Sequence, residues 1–358
     1  MKYALNSSDV ALLQAGLLDG EPAKAAFRQW RALVDFEGAH DGGQYRMLPL
    51  VYANMARLGL SDPVMARLKG VHRHAWSQGQ MRQHAAVGVF RMLQTLKIPV
   101  MVSKGMALAQ VFYPNPALRP MQDVDILVPR DKAETALEHL FKAGWSYGAI
   151  TLPKHGIARD VWMARFPGIG LVNPAGWEVD LHWRPVHDCS HPFLDEEFWR
   201  TAEPLPCGPV TVRRPDATHL LLHVIAHGLR PNPLSPLRWV ADAAMILRHS
   251  DHPIDWDRLW RTARRARLDM RLTMALGILS EAAQVALPPE AMRPGTASVV
   301  EWLESAAFRS EHDDQFTGWG RWALRVADLM RLLQGGHARL APQAARIWVT
   351  QRYERLTQ

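Results

Sequence analysis

Two aspartates, Asp123 and Asp125, stand one residue apart in the stretch LRPMQDVDILVPR (118–130), inside an otherwise apolar run. On a β-strand, residues i and i+2 face the same way, about 6 to 7 Å apart, so the pattern gathers two like charges at one point of a half-buried strand. Carboxylates withdrawn from water are costly unless something positive sits between them. A divalent cation is the usual partner for an all-oxygen ligand set.

The hydrophobic period changes on either side of this strand. Over 1–97, apolar residues recur at three- and four-residue steps behind capping residues and Pro22, which predicts a helical N-terminal region. IPVMVS (98–103) predicts a strand, KGMALAQVFY (104–113) a helix entered through Gly105, and DVDILVP (123–129) a second strand stopped by Pro129. RDKAETALEHLFKAG (130–144) predicts an amphipathic helix with Gly144 just past its end. GIARDVWMARF (156–166) and GWEVDLHWRP (176–185) read as two further strands around the turn-rich PGIGLVNPAG. The proline-rich 186–216 reads as irregular. Beyond it, DATHLLLHVIAHGL, PLRWVADAAMILRH, DWDRLWRTARRARL, MRLTMALGILSEAAQVAL and the C-terminal APQAARIWVTQRYERL read as helices. The expected fold class is α+β: a helical region 1–97, a small mixed-sheet core 98–205, and a helical C-terminal domain 206–358.

Composition narrows the function classes without choosing among them. With 48% hydrophobic and 22% charged residues, the 358-residue chain has ordinary globular content. No apolar run reaches the roughly 20 residues of a membrane span. The N-terminal MKYALNSSDV interrupts any apolar stretch early, unlike a secretory signal. Two cysteines, Cys189 and Cys207, make no disulfide framework, and the expected location is a reducing cytoplasm. The net charge of +7 suits an anionic ligand such as a nucleotide. Its densest patch sets Arg258, Arg261 and Arg265 on one helical face, read as a solvated face with a polyanion-binding stripe as the alternative.

A third carboxylate lies in WEVDLHW, where Asp180 shares a strand face with Glu178 and His182. Three carboxylates on two neighbouring strands can hold two magnesium ions, roughly 3.5–4 Å apart, which clamp the attacking and leaving oxygens of phosphoryl transfer. The succession of KG at a helix start, DVD on the next strand and a lone aspartate on a later strand resembles the nucleotidyltransferase superfamily of the DNA polymerase β type. More narrowly, VSKGMALAQVFYPNPALRPMQDVDILVPRDKAETALEHLFKAGW with EVDLHWRP, LLHVIAHG and LRWVADAAMIL resembles bacterial uncharacterised nucleotidyltransferases, over about 47–268.

That resemblance implies that Asp123, Asp125 and Asp180 are catalytic and ligate two Mg2+ ions, or Mn2+ in their place. Asp180 would hold the ion that activates the attacking hydroxyl. Gly105 would allow close approach of a triphosphate to a helix N-terminus, and Lys104 would neutralise its charge. The superfamily usually carries Gly-Ser or Gly-Gly here, whereas this chain has Met106 after the glycine, so the phosphate contact of that serine falls to Ser103 or Lys104. Arg119 either reaches phosphate or pairs with Asp123. The implied reaction moves an NMP from an NTP, ATP included, to a hydroxyl or phosphate of a small-molecule, sugar or peptide acceptor, with natural-product biosynthesis as one setting. Glycosyl transfer to a peptide or phosphopeptide from a nucleotide-sugar is the alternative within the class. A non-catalytic nucleotide- or RNA-binding module is the alternative outside it, with nucleic acid the less favoured partner.

His219, His223 and His227 recur every four residues on one helical face. They read first as core hydrogen-bonding histidines, and His223 and His227 second as lining for the cleft. His182 and Trp183 are further cleft candidates, Trp183 as a stacking platform. His187, Cys189 and His191 are too tightly and irregularly spaced for a structural zinc site. Asp242, within an apolar helix, is expected to cap or to pair with Arg238 one turn earlier.

Overall fold

The computed structural model describes residues 5–35, 42–230, 237–249, 251–309, 311–312, 315–316 and 318–346. Five helices come first: α1 (Ser7–Leu17), α2 (Gly20–Leu33), α3 (Gly42–Tyr45), α4 (Leu48–Arg57) and α5 (Met65–Thr95). Asn6 caps α1 in a reciprocal capping box with Asp9, and Asp19 caps α2 through the Gly20 amide. α5, at 31 residues, is long enough to touch two cores. Its Leu68 packs among the helices, while Ala86, Val89, Phe90 and Leu93 pack on the sheet.

The middle of the chain runs β1 (Met101–Val102), α6 (Lys104–Val111), β2 (Val124–Leu127), α7 (Ala133–Lys142), β3 (Ser146–Tyr147), α8 (Ile157–Arg165), β4 (Gly168–Val172), β5 (Glu178–His182), α9 (Pro192–Arg200), β6 (Glu203–Cys207) and β7 (Val210–Arg214). The seven strands form one mixed sheet in the order β3-β4-β5-β2-β1-β7-β6. β2 runs parallel to β5, and β1 antiparallel to β2 and parallel to β7. Gly144, at φ 89, follows the last turn of α7 as expected of a left-handed C′ residue.

Four expectations for this region are corrected. Residues 156–166 are largely helix rather than strand, because Val161 and Ala164, three apart, bury one face of α8 against Leu332 and Leu340. The supposed turn at 167–176 contains β4, which completes the antiparallel pair with β5. The segment expected to be irregular holds α9, with Pro192 in its first turn, and the β6–β7 hairpin. A core boundary at 205 would cut β6, and the sheet continues to Arg214.

Helices α10 (Ala217–Gly228), α11 (Leu237–Arg248), α12 (Trp256–Ala266), α13 (Asp269–Glu281), α14 (Val299–Arg309) and α15 (Gly318–Gln334) follow, with a small ribbon of β8 (Glu311–His312) and β9 (Gln315–Phe316) between the last two. The expected C-terminal helix is helical over 341–346, and its remainder lies outside the described residues. Leu12, Phe27 and Trp30 of the N-terminal helices share one hydrophobic cluster with Leu221, Trp260 and Leu276, so the two helical regions bury each other's apolar faces. Among the described residues, no helix is long and apolar enough to cross a membrane.

Candidate active site

The parallel pairing of β2 and β5 sets Asp125 directly beside Asp180, and Leu127 beside His182. Neighbouring strands lie about 4.8 Å apart, so backbone register fixes the separation of the two aspartates. Their opposite faces carry Val124, Ile126, Val179 and Leu181 into the sheet core, which leaves the carboxylates on the open side. Ligand atoms of Asp125, Asp180 and His182 all lie within 4.8 Å of one another.

Lys104 completes the group from the start of α6. Its Nζ donates to Asp125 Oδ1 at 2.5 Å, and His182 Nε2 lies 3.1 Å from the same oxygen. Burial alone would raise the Asp125 carboxyl, but Lys104 and then His182 outweigh it and hold that group well below the usual carboxylate range. Asp180 behaves oppositely. Burial pushes it up to about 6, opposed by His182 and reinforced by the charges of Asp125 and Asp123. Two carboxylates on one face are therefore driven apart in proton affinity by their surroundings.

Asp123 departs from the three-aspartate expectation. It precedes β2, is half-buried, and stands outside the Asp125–Asp180–His182 group, though its charge acts on Asp180, Arg82 and Arg238. Ser103 is buried at the N-cap of α6 and makes no side-chain cap, while its amide donates to the Asp125 carbonyl at 3.2 Å. Gly105 has a different local reason from the one expected. A Cβ there would stand 2.7 Å from Arg119 Nη1, so the glycine makes room for that guanidinium.

Arg119 pairs with Asp242 rather than Asp123. Its Nε and Nη2 donate to the two Asp242 oxygens at 3.1 and 2.9 Å, and the Tyr113 hydroxyl adds a third bond at 2.8 Å. All of it is buried, which turns Arg119 away from the cleft. Arg238, the expected partner of Asp242, instead donates to the Pro120 carbonyl at 3.3 Å. Trp183 is also corrected. It faces the core opposite His182, with its Nε1 donating to the Met163 carbonyl at 2.9 Å.

A cavity of about 600 Å³ opens beside these groups, lined by Lys104, Asp180 and His182 on one side and by His187, His227, Arg230 and Arg271 on another. That size lies within the range of small-molecule sites. His223 joins Lys104, His182 and His227 in a narrow adjoining recess. Burial first, then the Lys104 charge, keeps His223 and His227 well below the usual imidazole range, so both are neutral at pH 7. His219 faces elsewhere, between Asp216 and Thr201.

Lining that sequence reasoning missed comes from the corrected elements. Trp162 and Phe166, with ring centroids 4.5 Å apart, form an apolar wall, and Gly168 and Gly170 of β4 leave the floor beside His182 and Asp180 bare. At the far side, Arg271 bonds Asp188 and Glu304, and Arg331 also bonds Glu304, in a buried network joining α13, α14 and α15. The arginine stripe of α12 is largely engaged: Arg258 pairs with Asp216 at 2.5 Å, and Arg265 lies 4.0 Å over Phe193.

A family model described as uncharacterised nucleotidyltransferase matches residues 43–283, which include every residue of the acidic group but neither α14 nor α15. Among solved structures, the crystal structure of an antigenic nucleotidyltransferase-like protein from Paracoccidioides brasiliensis is similar at 17% identity, covering 60% of this chain and 97% of that one with a TM-score of 0.38. No curated protein matches the chain.

Proposed function

We propose, from the premise that this chain belongs to the uncharacterised nucleotidyltransferase family, that it transfers a nucleoside monophosphate from an NTP to an acceptor hydroxyl or phosphate and releases pyrophosphate. The observation that carries this reading is the register of Asp125 against Asp180, with Lys104 and His182 at the mouth of the cavity. The Asp180 carboxylate has no hydrogen-bond partner among the described residues and is raised first by burial and then by the charges of Asp125 and Asp123, which is the electrostatic state of a group that gains from a cation. Asp125 and Asp180 fit a divalent ion such as Mg2+, His182 is placed to orient Asp125, and the charge of Asp123, which acts on Asp180, would favour a second ion. Such an ion supplies neutralisation of phosphate charge and polarisation of the reacting oxygens.

The chain's own groups divide the remaining work. Lys104, which lines the cavity, supplies a positive charge for the phosphates. The neutral His223 and His227 close the recess behind it without adding charge. An Asp180 oxygen left free by the ion could accept the proton of the attacking acceptor. Trp162 and Phe166 offer an apolar wall for a base or an acceptor ring. A panel of α-labelled NTPs with Mg2+ and cell-extract acceptors tests the assignment. Retention of α-label on the acceptor with stoichiometric pyrophosphate supports it, and label retained only from the sugar of a nucleotide-sugar replaces it by glycosyl transfer.

The raised Asp180 also predicts a stability signature. Its folded pKa lies above its unfolded one, so the group costs nothing below about pH 4 and becomes destabilising as pH rises through 6. In EDTA, Asp180→Asn therefore melts with the wild type at pH 4 and above it at pH 8, while transfer is lost. Equal melting temperatures at pH 8 would contradict the assigned electrostatics.

A further inference from the structure

We infer that Lys104 and a divalent cation are alternative partners of Asp125, so that metal binding displaces the ammonium from Asp125 and directs it to phosphate in the adjoining cavity. This inference rests on the proposed cation site and goes beyond it, since it assigns Lys104 two seats and links their occupancy.

The first seat is built into the fold. Lys104 Nζ stands 2.5 Å from Asp125 Oδ1 with the two side chains only 14% and 6% exposed, so the contact is shielded from water. His182 Nε2 takes the other near position on the same oxygen at 3.1 Å. A doubly charged ion between Asp125 and Asp180 would meet the ammonium in a poorly screened setting, where like charges repel most strongly. One of the two cations has to leave.

Local conformation argues that this seat is not a by-product of helix formation. Lys104 has φ 44, the left-handed region that a lysine rarely adopts. It also begins a helix, where a positive side chain opposes the backbone dipole. What holds it there is the Ser103 amide bonded to the Asp125 carbonyl, together with the ion pair itself. Contact with an anion offsets part of these costs, and the anion supplied by the chain is Asp125.

The second seat is within reach of the same side chain. Lys104 lines the large cavity together with His227 and Arg230. Rotation about its four-carbon stem carries the ammonium there with its proton retained. Metal and triphosphate then favour each other: the ion frees the lysine, and the phosphates give it a new partner.

Mn2+ binding to the full chain, followed by electron paramagnetic resonance without nucleotide, separates the alternatives. Lys104→Met removes the charge and keeps the stem, and Lys104→Asn removes it with a residue that tolerates the left-handed backbone. Both variants are expected to bind Mn2+ at least ~10-fold more tightly than the wild type, with Asp180→Asn as the site control. Circular dichroism identifies folded variants, and either one suffices. Unchanged or weaker binding in a folded Lys104 variant overturns the exchange and leaves Lys104 a group that orients Asp125. Absence of Mn2+ binding in every protein, wild type included, overturns the cation site itself and with it the proposed function.

Discussion

Asp125→Asn is expected to lower nucleotidyl transfer by at least ~10³-fold, a loss of about 4 kcal/mol of transition-state stabilisation. The substitution keeps the shape of the side chain and its place in the β2–β5 ladder, so the loss reports charge. It removes the carboxylate that sits between Lys104, His182 and Asp180, and it leaves the Lys104 ammonium facing a neutral amide in a buried setting. A stability change accompanies it. The wild-type carboxyl is held well below its ordinary value, so its stabilisation is present above about pH 4 and is lost as pH falls. Melting curves in EDTA should therefore show the variant fully destabilised at pH 7, with the gap to the wild type narrowing progressively as pH falls below about 4. Transfer rates within tenfold of the wild type would remove Asp125 from the reaction.

Arg119→Met is expected to destabilise the fold by about 3–5 kcal/mol, because it strands the Asp242 carboxylate without its bidentate cation in a dry interior. For a chain of 358 residues the melting temperature should fall by roughly 4–7 °C. The pair joins the segment before β2 to α11, and so ties the sheet to the C-terminal helices. Coupling Arg119→Met with Asp242→Leu should restore most of the loss, since a matched apolar pair no longer buries a lone charge. Tyr113 then loses its acceptor, which sets the residual deficit. A double variant no more stable than the single one would show that the charge itself is not the cause.

The parts of the site legible in the sequence are those governed by local alternation. The i, i+2 rule places Asp125 on the open side of β2 and Asp180 with His182 on that of β5, and the register puts the two aspartates side by side. The same rule, applied one residue further, turns Trp183 toward the core, where it lies. What was not legible depends on distant partners. Gly168 and Gly170 mimic turn residues, yet they pair with β5 in a strand and are glycine there because a Cβ at 168 would come within 2.6 Å of the Leu181 carbonyl, and one at 170 within 3.1 Å of Asp180 Oδ1. Pro204 and Pro206 argue against a strand only until β6 is found at the sheet edge, where a missing amide breaks no ladder. α8 misleads because its buried face meets residues more than 160 positions later in the chain. The Arg119–Asp242 pair spans 123 positions, and no periodicity within either segment announces it.

The long rod of α5 carries a consequence for how the molecule comes apart. One continuous helix presses Leu68 into the cluster that α1, α2 and α4 share with α10 to α13, and Phe90 into the sheet. Loss of either contact frays a helix that the other still needs, so heat should release the two halves in one calorimetric peak rather than two.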